Sequence, residues 1–342
     1  MTAVVAGIGQ SRFTRRADST EATLAMQAIT AALRDAKVGP EAIDGIVRFD
    51  RDAVWEYDVP GVLAIRALHF YNAVPFGPGS APALLRMAAM AVSEGLATTV
   101  LCYHARNGIA RAEPPPAIEA AWLARRNDVG EVDIARVTMA HRRAAARNPK
   151  ALVRRVLTAA ARRRSPYVAE PLRRVDVAEP AAGACAFVVT AAERAAPTAP
   201  RILASMQVAM PSLARQPQEW FARKPFDQIA RAARGLFAAA RLRPAAVDVA
   251  CVNADASVLV PLALRLYRVT NARVNPHGGQ LCEAALDGVN DVAEAVRQLR
   301  GDATKQVRGA LVALVAGSLL EPTSAVLLGA ATPALRRRSL GR

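Results

Sequence analysis

The spacing of apolar residues alternates between short β-branched runs and longer stretches with an apolar residue at every third or fourth position. Residues 2–8 form an apolar run of strand length, and Asp18-Ser19-Thr20-Glu21 is a capping box for a following helix. That helix is predicted to stop at Gly39-Pro40, before a strand over Ile43–Val47. A strand, a helix and a second strand in this order predict a βαβ unit and therefore an α/β sheet with parallel strands. The apolar face of the helix comprises Leu24, Ala28, Ile29, Leu33 and Ala36.

The same alternation continues to the end of the chain. A glycine-rich turn, Phe76–Ala81, precedes an apolar helix that ends at Gly95. Further strands are predicted at Thr98–Tyr103, Ala184–Thr190, Ile202–Val208, Val247–Val252, Leu311–Ala316 and Ala325–Leu328, with a helix at Phe226–Ala240. Two α/β halves, each ending in an apolar strand, suggest an internal duplication, although the halves show no strong sequence repeat.

The most distinctive stretch is the turn Asn275-Pro276-His277-Gly278-Gly279, which leads into a helix predicted from about Glu283 to Leu299. Paired glycines before a helix let the backbone approach a ligand, and a helix start offers free N–H groups to an anion or a thioester oxygen. The spacing alone also allows an ordinary tight turn that leads into a core helix.

Charge is concentrated in one region. The 342-residue chain is 52% hydrophobic, enough for a sizeable core, and has a net charge of +16. Between Arg106 and Arg174 there are 16 Lys and Arg residues against 6 Asp and Glu, and helical patches are predicted around Ile134–Arg147, Leu152–Arg164 and Val168–Arg174. Such a surface attracts nucleic acid, anionic membrane, an acidic partner or the phosphates of coenzyme A, or is simply a set of solvated helix faces. Because no nucleic-acid-binding motif is present, nucleic acid is the weaker alternative.

The remaining composition excludes several classes. The four cysteines are widely spaced, without a CxxC pair, which predicts reduced core residues, no structural metal and a cytoplasmic protein. The N-terminus lacks the features of a signal peptide, and no apolar run has membrane-spanning length. Gly7-Ile8-Gly9 follows a strand but lacks the third glycine of a dinucleotide fingerprint, so no bound cofactor is predicted.

Several stretches resemble the thiolase superfamily, in the branch of sterol-carrier-protein-x thiolases and lipid-transfer-protein steroid aldolases. The turn at Asn275–Gly279 resembles the C-terminal glycine motif of that branch, and Val4–Phe13, Ala36–Phe49 and Leu101–Asn107 resemble its first strands. The basic region resembles its insertion, so the match covers nearly the whole chain. The resemblance implies a layered αβαβα sandwich of two similar halves, acyl-CoA or acyl-carrier-protein thioester substrates and a homodimer or a heterodimer with a second thiolase-like chain. It also implies a small OB-fold partner, as in steroid aldolases of this type.

The predicted organisation follows from this resemblance. Residues 1–196 form an N-terminal half that includes an Arg-rich helical insertion at about 107–175. Residues 197–335 form the C-terminal half, and residues 336–342 form a basic tail.

The sequence departs from the family where the family carries its chemistry. The nucleophile turn of thiolases falls on Pro78-Gly79-Ser80, which puts proline in the place of the cysteine. The catalytic histidine falls on Ala285, and the Asn-Glu-Ala-Phe segment falls on Asn253-Ala254-Asp255-Ala256. The second cysteine falls within Val315–Ser318, which contains none. The chain is therefore not expected to be a conventional thiolase.

The polar residues left in these stretches form the predicted site. His277 is the candidate general acid/base, Cys282 a candidate activated thiol near a helix start, and Asp255 a candidate base for a β-hydroxyl proton; Asp287 is a second such carboxylate. Each has a structural alternative: a turn hydrogen bond for His277, core packing for Cys282, a helix cap for Ser80. The predicted substrate-binding residues are Asn275, Gly278, Gly279, Asn253, Ser80 and Tyr103.

Two functions remain open at this point. The first is an aldolase-like or acyltransferase-like enzyme that acts on a thioester without a cysteine nucleophile and completes its site with a partner protein. The second is a noncatalytic thiolase-like subunit that stabilises or regulates an active thiolase-like or OB-fold partner.

Overall fold

The computed structural model describes residues 1–108, 116–209, 225–320 and 322–332. The strands in these ranges are β1 (Ala3–Gln10), β2 (Gly45–Phe49), β3 (Phe70–Val74), β4 (Thr99–Asn107), β5 (Tyr167–Ala169), β6 (Leu172–Arg173), β7 (Ala182–Ala191), β8 (Arg201–Val208), β9 (Val249–Val252), β10 (Arg273–Val274), β11 (Val312–Ala316) and β12 (Thr323–Gly329). The helices are α1 (Glu21–Ala36), α2 (Asp58–Leu63), α3 (Ala81–Ser93), α4 (Pro116–Arg126), α5 (Glu131–Ala145), α6 (Ala159–Arg164), α7 (Pro225–Ala239), α8 (Leu259–Tyr267), α9 (Gly279–Cys282) and α10 (Val289–Arg300). None of the described helices is long and apolar enough to cross a membrane.

The two halves repeat one strand order. The first half reads β3-β2-β4-β7-β1 and the second reads β10-β9-β11-β12-β8, so in each half the third, second, fourth, fifth and first strands lie side by side. The fifth strand is antiparallel to its neighbours in both halves, whereas the second, third and fourth strands are parallel. The halves join where Val4 of β1 pairs with Arg201 of β8. The prediction of two similar α/β halves is confirmed; the boundary proposed at residue 196 falls between β7 and β8 and stays a prediction.

Helices form three layers around the two half-sheets. Helix α1 covers the outer face of the first half, α7 and α8 cover the outer face of the second, and α3 and α10 lie between the halves and contact strands of both. Strand β4 shows how alternation builds these layers: Val100 and Cys102 face the central helices, whereas Leu101 and Tyr103 face α1. The arrangement is the αβαβα sandwich that the resemblance implied.

The prediction of a helix from Glu283 to Leu299 was wrong at the N-terminal end of that helix. Helix α10 begins only at Val289, because Asp287 and Gly288 adopt left-handed backbone conformations with φ angles of 51° and 89°. The paired glycines open α9, a single helical turn. The residues between α9 and α10 are irregular, which frees the Asp287 side chain to point away from the helix axis.

The Arg-rich insertion is less helical than predicted. The patch at Ile134–Arg147 is confirmed as α5, but the patch at Leu152–Arg164 is helical only over α6. The patch at Val168–Arg174 is the β5–β6 hairpin, since Pro171 lacks the N–H that a helix interior requires. Helix α1 ends three residues before Gly39, with Lys37 in a left-handed conformation. The predicted basic tail at 336–342 lies outside the described residues.

Replacing Gly288 with alanine is expected to destabilise the fold more than the same change at Gly301. Both glycines have positive φ angles, 89° and 85°, so each alanine is strained by about 1–2 kcal/mol. A Cβ at Gly288 would also lie 3.2 Å from the Cβ of Ala81, whereas nothing lies within 4 Å at Gly301. Urea unfolding of both variants checks this, and equal midpoints would contradict a packing role for Gly288.

Candidate functional site

A buried chain of charged side chains lies between the two halves. The Nδ1 atom of His104 lies 2.6 Å from Oδ1 of Asp52, and its Nε2 atom lies 3.0 Å from Oδ2 of Asp287. Arg106 donates from Nη1 to both oxygens of Asp287 at 3.0 and 3.1 Å. Asp52, His104 and Asp287 are at most 6% exposed. Two carboxylates and two cations are therefore paired where α10 begins.

Local structure explains how these side chains meet. His104 and Arg106 continue the face of β4 that points to the central layer, and Asp52 follows β2, the parallel neighbour of β4. Asp287 enters from the second half because its left-handed backbone conformation interrupts the helical pattern before α10. The rings of Phe49 and Phe76 lie 4.5 and 6.0 Å from the His104 ring and exclude water from it.

The paired carboxylates set the charge of His104. Burial lowers the pKa of His104, but Asp52 and Asp287 outweigh burial and raise its pKa to about 9. Burial raises the pKa of Asp287, yet its hydrogen bond to His104 and the charge of Arg106 hold that pKa below the usual range. His104 is therefore an imidazolium, and Asp287 a carboxylate, at neutral pH.

Asp255 is a carboxyl group poised near neutrality. It follows β9 and is partly exposed. Burial, and then the charges of Asp287 and Asp291, raise its pKa to about 7, while Arg106 and Asn253 act in the opposite direction. The backbone N–H of Asp255 donates to Oδ1 of Asn253 at 3.2 Å, and within the described residues the Asn253 Nδ2 atom has no hydrogen-bond partner. An acid of shifted pKa beside an unpartnered amide donor is typical of a functional site.

The turn at Pro78–Ser80 packs against the second half. The backbone N–H of Ser318 donates to the Pro78 carbonyl at 3.0 Å, and a Cβ built on Gly288 would lie 3.6 Å from that carbonyl and 3.8 Å from the Asn253 amide. The stretches that the family resemblance singled out on opposite halves are thus brought together. Ser80 is buried at the start of α3 but makes no capping hydrogen bond, so the helix-cap alternative for Ser80 was wrong.

His277 lies in a second buried cluster with Glu283 and Asp291. Its Nε2 atom is 2.9 Å from Oδ1 of Asp291 and 3.8 Å from Oε2 of Glu283, without hydrogen-bond geometry. Burial lowers the pKa of His277, but Glu283 and Asp291 raise it to about 9, so the side chain is a cation at neutral pH. A cationic imidazole can donate a proton but cannot accept one, so the acid/base role of His277 stays a prediction. No three His, Cys, Asp or Glu side chains in the described ranges are arranged to hold a metal ion.

Cys282 does not have the surroundings of an activated thiol. It is 1% exposed, and burial raises its pKa to about 12, although Arg142 lowers it slightly. The helix whose start was expected to lower this pKa is the single turn α9, and Cys282 is at its end. The core-packing alternative fits the geometry.

Four predicted substrate-binding residues contact the protein itself. The Asn275 amide bonds both the N–H and the carbonyl of Val252, at 2.8 and 2.9 Å. A Cβ on Gly278 would lie 2.7 Å from Ala145, and one on Gly279 would lie 2.9 Å from Asn275, so the glycines permit close packing rather than ligand approach. Tyr103 faces α1 and donates its hydroxyl to the Val54 carbonyl.

Asp52 and Arg106 were missed as site residues, and His104, a polar candidate in the sequence, was not placed in the predicted site. The alternation of β4 could have identified two of them, because side chains two residues apart share a face of a strand. His104 and Arg106 are therefore on the same face as Cys102, which belongs to the central core. Tyr103 was selected instead, and it points to the opposite face.

A groove of about 220 Å³ is lined by residues 280–285 and by residues of the basic region. Three arginines line it, of which Arg142 has a buried Nε atom without a hydrogen-bond partner among the described residues. Ala285, at the position of the family's catalytic histidine, is one of the lining residues. The groove can hold a negatively charged, elongated ligand. Its arginines are Arg15, Arg142 and Arg174.

Comparison with known proteins identifies the family. No family model matches the chain. The chain is 30% identical to the 17-hydroxy-3-oxo-4-pregnene-20-carboxyl-CoA lyase of Mycobacterium tuberculosis, over 96% of this chain and 99% of the lyase. It is 29% identical to the steroid side-chain-cleaving aldolase of Thermomonospora curvata, over 96% of this chain and 98% of the aldolase.

Solved structures agree with this assignment. The Ltp2-ChsH2(DUF35) aldolase superposes with a TM-score of 0.89 and 28% identity, covering 97% of this chain and 99% of that one. A monomeric SCP2-thiolase-like protein type 1 from Mycobacterium smegmatis, at 17% identity, gives a TM-score of 0.76 over 97% of this chain and 77% of its own. Human mitochondrial 3-ketoacyl-CoA thiolase, at 14% identity, gives a TM-score of 0.77 over 97% of this chain and 99% of its own. At these low identities, the SCP2-thiolase-like protein and the human thiolase show the fold alone. The chain belongs to the sterol-carrier-protein and lipid-transfer-protein aldolase branch of the thiolase superfamily.

Proposed function

We propose that this chain catalyses the retro-aldol cleavage of a coenzyme A thioester that carries a hydroxyl group on its β-carbon. The hydroxyl loses its proton, the bond between the α- and β-carbons breaks, and its electron pair passes to the thioester as an enolate. Protonation of the α-carbon then completes a shorter acyl-CoA, and the β-carbon leaves as a ketone or an aldehyde. The proton removed from the hydroxyl balances the proton gained by the α-carbon, so no oxidant or bound cofactor is needed.

Asp255 is assigned as the general base. A carboxyl group with a pKa of about 7 is ionised in about half of the molecules at neutral pH, and its conjugate acid returns a proton readily. The Nδ2 atom of Asn253, which has no partner at hydrogen-bond geometry among the described residues, is assigned as a donor to the enolate oxygen, because a fixed donor stabilises the charge that develops there. Asp255 beside this donor is the single observation that carries the proposal.

Retro-aldol chemistry is preferred to acyl transfer because of the cysteines. An acyl-enzyme on cysteine requires a thiolate, whereas burial raises the pKa of all four cysteine thiols, Cys102, Cys185, Cys251 and Cys282. Cleavage of a β-hydroxy thioester needs a base and oxyanion donors, and no nucleophile.

The arginine-lined groove suggests where coenzyme A binds. In the part of the chain that the structure describes, Arg142 offers an unpartnered donor to phosphate groups, Arg15 and Arg174 share Glu179 as their ion-pair partner, and Ala285 lines the same groove. The similar enzymes are described as cleaving steroid side chains, so the proposed leaving group is a bulky, steroid-like ketone. By the same analogy, the proposed partner is a DUF35 protein, the kind present in the Ltp2-ChsH2 complex.

A noncatalytic role is the second candidate. It is favoured by the burial of His277, at 2% exposure, and by the raised pKa of the Cys282 thiol, which leave two predicted catalytic residues without the surroundings of active groups. In that role the chain would stabilise an active thiolase-like or DUF35 partner without turning over a thioester.

Turnover of a synthetic β-hydroxyacyl-CoA tests the proposal. The purified chain, alone and with a co-expressed DUF35 protein, is incubated with a 17-hydroxysteroid C22 thioester, and products are measured by mass spectrometry. We expect equal amounts of ketone and propionyl-CoA, unaffected by prior treatment with iodoacetamide. If neither product forms, with or without the DUF35 protein, the proposed enzymatic function is contradicted and the noncatalytic role remains.

A further inference from the structure

The short segment that closes the Arg-rich insertion, just beyond its predicted end near residue 175, touches both walls of the candidate site. In this linking segment (residues 176–180), Val177 forms an antiparallel bridge with Ala256, and Pro180 forms a parallel bridge with Ala285. The bridges join it to the segment after β9 and to the segment before α10. The insertion therefore contributes to the site through backbone contacts.

Hydrogen bonds from the linking segment hold Asp255 in place. The Ala178 N–H donates to the Asp255 carbonyl at 2.8 Å, and the Ser257 N–H donates to the Asp176 carbonyl at 2.8 Å. Asp255 therefore has two described backbone contacts, the Ala178 N–H on its carbonyl and the Asn253 side chain on its own N–H. The position of the Asp255 backbone thus depends on where residue 176 is anchored.

Asp176 is anchored by its own buried carboxylate. Arg162 donates to its two oxygens from Nε at 2.9 Å and from Nη2 at 2.7 Å, and Thr138 donates its hydroxyl at 2.6 Å. The N–H of Arg173 adds a further bond at 2.9 Å. Asp176 is 0% exposed and Arg162 is 2% exposed, so the ion pair is sealed inside the insertion. Helices α5 and α6 and strand β6 converge on this one side chain.

From these contacts we infer that Asp176, held by Arg162 and Thr138, is a positioning residue for Asp255. The inference rests on the proposed role of Asp255 as the base. The cluster around Asp176 does more than stabilise the insertion, because residues 176–180 connect it to the segment after β9 and to the segment before α10. A displacement of about 1 Å at a catalytic group reduces turnover up to 100-fold, so loosening this anchor is a sensitive change.

Two conservative variants and a matched control test the inference. Thr138→Val removes the short hydrogen bond to Asp176 and the longer contact with the Ile134 carbonyl at 3.1 Å, with little change in side-chain volume. Arg162→Lys keeps the charge but loses the two-pronged contact. Thr190→Val is the control, because Thr190 is equally buried and donates its hydroxyl to the Thr98 carbonyl at 2.7 Å, on a remote part of the sheet. Hydrogen exchange at the amides of residues 255–257 and steady-state kinetics are measured for each.

We expect exchange at the Ser257 amide to be faster by about fivefold or more in Thr138→Val and Arg162→Lys, as loss of one hydrogen bond implies. For both variants kcat should fall between about 10- and 100-fold at unchanged KM, and Thr190→Val should change neither quantity. Unchanged exchange at residues 255–257 in both variants would overturn the positioning role. If the wild-type chain cleaves no thioester, the proposed function fails, whereas the exchange measurement still decides whether Asp176 positions Asp255.

Discussion

Replacing Asp255 with asparagine is expected to lower kcat for thioester cleavage by about 10²–10⁴-fold, the usual contribution of a general base. Asparagine has the same shape and keeps the backbone contacts to Asn253 and Ala178, so the change removes only the basic group. In the wild type, kcat/KM should rise with pH up to a plateau above about pH 7, because the ionised form of Asp255 is the active one. This rise should be absent in the variant.

The same substitution should stabilise the fold at alkaline pH. The pKa of Asp255 is about 7 in the folded protein and about 3.9 in an unfolded chain, so the folded state binds the proton more tightly. The wild type therefore loses stability as pH rises from about 4 to about 7. Asp255→Asn should not show this loss, because asparagine does not ionise. Urea unfolding at pH 5 and pH 8 measures the difference. A variant that keeps kcat within a factor of three would remove Asp255 from the mechanism. A variant less stable than the wild type at pH 8 would contradict the raised pKa of the Asp255 carboxyl group.

Asp287→Asn is expected to produce the largest loss of stability, about 3–5 kcal/mol, because it leaves two buried cations without a shared carboxylate. The side chains of His104 and Arg106, which both contact Asp287, are 0% and 15% exposed, and the Asp287 side chain is 6% exposed. Asparagine adopts the left-handed conformation that Asp287 has, so backbone strain does not contribute. The free energy of unfolding in urea measures the loss.

An exposed pair supplies the control for this change. Asp133 pairs with Arg136 on the surface of α5, with side chains 36% and 71% exposed, so Asp133→Asn should cost less than about 1 kcal/mol. A loss at Asp287 no larger than the loss at Asp133 would show that the buried charges are not coupled as described.

The loss of stability caused by Asp287→Asn should also depend on pH. The pKa of His104 is raised to about 9 in the fold, so its pairing with Asp287 stabilises fully below about pH 6.5 and is lost as pH rises through 9. The lowered pKa of Asp287 makes its contribution vanish at strongly acid pH. The difference between wild type and variant should therefore be greatest between about pH 4 and pH 6.5. Because the charge of Asp287 raises the pKa of Asp255, the acid limb of the activity profile should move to lower pH in Asp287→Asn.

Periodicity predicted most of the architecture, since burial of an amphipathic helix or strand depends on local spacing. Strand β1, helix α1 and the final strand pair lie where the apolar pattern put them. The pattern did not reveal the break at Asp287 and Gly288, because apolar residues continue on both sides of it. Only the left-handed backbone at these two positions separates α9 from α10.

The sequence by itself determined the strands and helices, the two α/β halves and the family, because these depend on residue type and spacing. It also singled out Asp255 and Asn253, which the fold places together. Tertiary structure alone decided which polar groups are paired. It buried His277 and Cys282, turned Tyr103 towards α1, and joined Asp52 and His104 to Asp287, which is 183 residues further along the chain than His104. Burial and pairing set the pKa of an acid or a base, and both depend on neighbours that are distant in sequence.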